Sequence, residues 1–176
     1  MRNHRAKLRD AIVDMTLRSP KLLDPLSPTL SIADHARHLI EHYRFLDASY
    51  EGDRTPKVMY GSPLFAKVLY HMYTSRTWRA VLRVSLEVDF QDPAAKGFEE
   101  DWMPCPPTSV LAFAGTLTIN ALECCAVGFR QSRAPMDEES HRQVYSLLFA
   151  HLERELKMPH AQAQLEQALN MHRLRM

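Results

Sequence analysis

Between Trp102 and Leu122 the chain runs for 21 residues without a charged side chain. A run of that length can cross a bilayer, so whatever it forms must be withdrawn from water. Pro104, Pro106, Pro107, Ser109, Gly115, Asn120 and three threonines lie within it. That content reads as a loop entering a buried element of a folded domain, not as a membrane span. From Val110 to Asn120, Leu111, Phe113, Leu117 and Ile119 are set against Thr116, Thr118 and Asn120. This imperfect alternation, rich in β-branched residues, predicts a strand. A buried helix running on through Leu122 and Val127 fits the same residues.

A cleaner alternation precedes it. Leu82, Val84, Leu86, Val88 and Phe90 interleave with Arg83, Ser85, Glu87 and Asp89, the pattern of a strand with one buried and one wet face. Elsewhere the period is helical. Residues 4–17 predict a short basic helix, and Pro20, Pro25 and Pro28 an irregular connection. A histidine-bearing helix is expected from about 31 to 48. Ser62-Pro63 marks a cap with proline in the first turn of a helix to about Ser75. Asp137 caps a helix to about Lys157 whose face, Val144, Leu147, Leu148, Phe149, Leu152 and Leu156, is too broad for a helix standing free. Pro159 opens a last helix to Arg173 with a narrow stripe of Leu165, Ala168 and Leu169. The expected fold is one domain over residues 1–176, α+β and predominantly helical. It has about five helices and a central two-stranded antiparallel element; an all-α bundle is the alternative.

The densest chemistry is Asp34-His35-Ala36-Arg37-His38-Leu39-Ile40-Glu41-His42. On a continuous helix Ile32, Ala36, Leu39, Tyr43 and Leu46 share one stripe, and the three histidines flank it within about 60° of the wheel. His38 and His42, one turn apart, have the spacing of two ligands to one zinc ion. His35 lies about 10.5 Å of helix rise from His42, so a third ligand must come from elsewhere. The plain alternative is that these imidazoles edge the core, bonded to neighbours or water.

Three families share parts of this segment. His38-Leu39-Ile40-Glu41-His42 resembles the H-x-x-E-H motif of the pitrilysin-like metallopeptidases. That resemblance implies His38 and His42 as zinc ligands and Glu41 as general base. Arg37 and His42 resemble the R-x4-H motif of the HEPN ribonucleases, which implies metal-independent RNA cleavage. On a regular helix those two side chains point about 140° apart. Ser31 to Tyr43 looks like the first ligand helix of the DinB-like bundles, which need a later histidine pair one turn apart. His141 and His151 are ten residues apart and do not match it.

Twenty-two basic and twenty-one acidic residues leave a net charge of +1, which gives no global electrostatic case for nucleic acid or an anionic membrane. Cys105, Cys124 and Cys125 have no metal-type spacing and read as reduced thiols. The basic start leads only into Ala11-Ile12-Val13 before Asp14, which is not a secretory signal. These features point to the cytoplasm. Asp92 to Pro107 is a long acidic loop in which Trp102 follows Glu99, Glu100 and Asp101, a composition suited to anchoring a partner. The expected function is a non-catalytic interaction or regulatory protein of a bacterial cytoplasm. Trp102, Leu165 and Leu169 are its candidate contacts with a protein partner or a second copy. The alternatives are a small zinc-type hydrolase using His35, His38, His42 and Glu41, or a ribonuclease using Arg37 and His42.

Overall fold

The computed structural model describes residues 10–14, 31–47, 60–74, 106–127 and 138–173. A helical turn covers residues 10–14 and buries Ile12. Helix α1 spans Ile32–Ile40 and passes into a 3-10 segment, Glu41–Leu46. Then come α2 (Pro63–Thr74), α3 (Thr108–Val127), α4 (Glu138–Leu156) and α5 (Pro159–Arg173). The described residues are mostly helical, and they contain no strand.

Helix α3 organises the rest. It buries residues on every side, from Val110 and Leu111 through Thr116, Leu117 and Thr118 to Cys124, Cys125 and Ala126. A helix apolar all round belongs in the middle of a core. Helices α1, α2 and α4 pack directly on it, and α5 closes over α2 and α4. Length and composition alone would let α3 cross a membrane, but 78% of its most apolar window is buried inside this fold.

The strand expected over Val110–Asn120 is therefore helix. The physical reason lies in the two threonines that suggested a wet face. Thr116 and Thr118 are both buried, and each hydroxyl donates to the carbonyl four residues back, Ala112 O at 2.7 Å and Ala114 O at 2.8 Å. A threonine that satisfies its own hydroxyl inside the helix needs no water-facing side, so alternation of residue type ceased to report alternation of exposure. Val110 and Leu111 donate their amides to Pro107 O at 2.9 and 3.1 Å, which starts the helix directly after the Pro106-Pro107 pair. The other expected strand, Leu82–Phe90, lies outside the described residues. With its proposed partner helical, the two-stranded element does not form as expected, and the all-α alternative fits the described residues.

Close packing of α3 and α4 depends on Gly115. Leu148 Cδ2 fills the space that a Cβ at this position would take, and Phe45 Cζ would stand 3.5 Å from it. Leu148 and Phe45 are fully buried, so the notch is the place where α4 and the 3-10 segment both meet the central helix. Along α4, Leu148 and Leu152 are buried and Val144, Tyr145, Phe149 and Leu156 partly so. Leu147, expected on the inner face, is 64% exposed.

Ser62 begins α2 as its sequence predicts, with its hydroxyl taking the Phe65 amide at 3.4 Å and its carbonyl the Ala66 amide at 3.0 Å. Leu165 and Leu169 of α5 belong to the buried core of the same chain. Their stripe is thus covered intramolecularly, and neither leucine is presented to a partner.

Candidate functional site

The histidine segment does not form one continuous helix. Ser31 caps α1, accepting the Asp34 amide at 3.1 Å and donating its hydroxyl to the Asp34 carboxylate at 2.6 Å. The α-helix ends at Ile40: Glu41 has ψ 126°, and Tyr43 has a positive φ of 56°. The expected helix to residue 48 is thereby corrected, and with it the helical wheel that set His38 above His42. An i, i+4 pair shares a face when the backbone between is regular, and here it breaks between the two residues. Glu41 is exposed; the side chain of His42 lies outside the described residues.

Each remaining member of the segment has a local role. Arg37 Nη1 meets Asp34 Oδ1 at 2.7 Å, and its Nη2 donates to Ala126 O at 3.0 Å. Ala126 is in the last turn of α3, where carbonyls lack helical partners and the helix dipole favours a cation. The chain Ser31–Asp34–Arg37 thus connects the start of α1 to the end of α3. His38 faces another cation, Arg44, whose Nη1 lies 2.7 Å from Nδ1 and 2.8 Å from Nε2. A metal ion on His38 would have to displace that guanidinium. His35 is buried within α1. Among the described residues, no three histidine, cysteine, aspartate or glutamate side chains gather where they would hold a metal ion.

A second polar cluster lies between the 3-10 segment and α4, and sequence reasoning did not find it. Tyr60 donates its hydroxyl to Glu155 Oε2 at 3.2 Å. Glu155 Oε1 lies 3.5 Å from His151 Nε2, one turn earlier on α4. The His151 ring packs on Tyr43 at a centroid distance of 5.0 Å, and Tyr43 meets Phe45 edge-on. Burial, then the neighbouring Glu155 charge and hydrogen bond, and lastly the Asp47 charge, push the Tyr60 hydroxyl far above the ordinary tyrosine range. It is therefore a fixed donor at neutral pH, not a base. The carboxylate accepts from the phenol through one oxygen and lies beside the imidazole with the other.

Both tyrosines of this cluster have left-handed backbones, Tyr43 at φ 56° and Tyr60 at φ 60°. Bulky residues are costly there and persist where surrounding structure over-determines them. The restraints are visible: Ser62 N donates to Leu46 O at 3.3 Å and Tyr60 N to Asp47 Oδ1 at 3.4 Å. One signal for this cluster was present in the sequence, the one-turn spacing of His151 and Glu155. Nothing local announced that Tyr60 would join them across 95 residues.

Of the expected contact residues, Trp102 lies outside the described residues, and Leu165 and Leu169 are buried. The structure brings Arg37 and His38 into separate pairings and assembles no common centre from them. No family model, no curated protein and no solved structure matches this chain.

Proposed function

We propose that this chain is a non-catalytic interaction or regulatory protein of the bacterial cytoplasm, acting through self-association or a protein partner. The observation that carries the reading is the employment of its reactive-looking side chains in holding the fold. Arg37 caps α3, His38 abuts Arg44, and Glu155 joins Tyr60 to His151. Cys124 and Cys125 are buried thiols outside any disulfide, which suits a reducing compartment. With Leu165 and Leu169 engaged in the core, the contact is assigned to the acidic stretch ending in Trp102, whose composition fits a buried aromatic anchor with a charged rim.

Sedimentation velocity of the untagged chain over a range of concentrations, alongside Trp102→Ala, tests the self-association arm directly. Concentration-dependent association that Trp102→Ala weakens supports it. A strictly monomeric chain confines the reading to a separate partner, whose binding must then shift Trp102 emission in a Trp78→Phe background. Elemental analysis decides against the hydrolase alternative or for it. About one equivalent of zinc, lost in His38→Ala while the fold survives, would replace our reading with a metal site on His38, His42 and His35 with Glu41 as base. Metal-independent cleavage of single-stranded RNA, abolished in His42→Ala, would replace it with the ribonuclease that uses Arg37 and His42.

A further inference from the structure

We propose that the 3-10 segment and residues 60–62 form a strap that Glu155 clasps to α4, and that this strap opens as a unit ahead of global unfolding. Four observations converge on it. The α-helical ladder stops at Ile40 and gives way to a 3-10 stretch, whose hydrogen bonds are the poorer kind. The strap's two parts are bonded to each other through Ser62 N–Leu46 O and Tyr60 N–Asp47 Oδ1, so they move together. Both left-handed tyrosines lie in it, which places stored backbone strain on the side of opening. Glu155 and His151, one turn of one helix, hold both tyrosines: Oε2 takes the Tyr60 hydroxyl, and Oε1 faces the imidazole that supports the Tyr43 ring.

Opposing the strain is burial of Phe45, Leu46 and Tyr60. Opening is consequently a minority state, and it uncovers the aromatic face where Phe45 meets Phe65 at 6.1 Å and the Gly115 notch of α3. Glu155 is a positioning residue in this scheme. It makes no chemistry of its own and acts by fixing two side chains on a neighbouring segment. The inference is independent of the partner proposed above, because it concerns the chain's own equilibrium.

Hydrogen exchange of the full chain at low denaturant, read by mass spectrometry on peptides covering 41–47, 60–62 and 108–127, tests it. In the native chain the two strap peptides should exchange together and faster than α3. Glu155→Ala should accelerate both by about tenfold or more, as loss of a hydrogen bond to a charged acceptor implies, and leave α3 unchanged. Glu155→Gln should restore slow exchange, since its amide oxygen still accepts from Tyr60. Should Glu155→Ala fail to fold, Tyr60→Phe removes the hydroxyl alone and must accelerate the same peptides. Strap exchange that tracks α3 at every denaturant concentration would overturn the proposal, as would a strap indifferent to both Glu155→Ala and Tyr60→Phe.

Discussion

A single missing Cβ governs how near α4 comes to the central helix. At Gly115 a methyl group would meet Leu148 Cδ2, and Leu148 is fully enclosed, so its flexible end has nowhere to retreat without disturbing Phe45 or Leu152. Gly115→Ala gains helix propensity but overpacks the notch. We expect a net loss of about 1–3 kcal/mol, measured by urea unfolding. A second residue-scale consequence concerns alkali. Burial, and then the adjacent Cys124, push the Cys125 thiol from 9.0 up to about 11. Its folded value is the higher one, so its contribution to stability is complete below about pH 9 and is lost as pH rises toward 11. Tyr60 has the same sign, and its contribution begins to fall above its ordinary value of 10.0. Melting temperature should decline across this window, and Cys125→Ala should flatten the first part of the decline.

At the scale of elements, helix starts were readable from sequence and internal breaks were not. Ser31, Ser62-Pro63 and Pro159 each mark a beginning where the structure places one, because a cap is a local bond between neighbouring residues. The end of α1 at Ile40 lies in the extended ψ of Glu41, followed by a left-handed Tyr43, and no residue type there suggests either. The α3 region misled in a different way. Two threonines imitated the polar face of a strand while each donated to its own helix. Thr118→Val tests that account. The Ala114 carbonyl keeps its helical amide partner, so loss of the hydroxyl should change stability by less than about 1 kcal/mol in thermal unfolding. A cost well above that would mean that the hydroxyl has a further partner. The candidate clasp was half legible: His151 and Glu155 are local to one another, whereas Tyr43 and Tyr60 reach them only through tertiary folding.

For the whole molecule, the order in which the elements are made matters. A chain is synthesised from its N-terminus, at about 5–20 residues per second. Helix α1 and helix α2 both rest on α3, which is encoded after them. The ribosome therefore releases Ala36, Phe45, Phe65, Leu69 and Met72 before the surface that covers them exists. Until residue 127 has cleared the exit tunnel, these side chains have no native burial against α3 and are open to chaperones and proteases. A nascent chain stalled with only residues 1–107 exposed should be cut rapidly by a protease. One stalled after all 176 residues have emerged should resist, and equal resistance in the two would show that the first half closes its own core. The placement of one apolar helix late in the sequence thus makes the birth of this protein, more than its mature state, its period of greatest exposure.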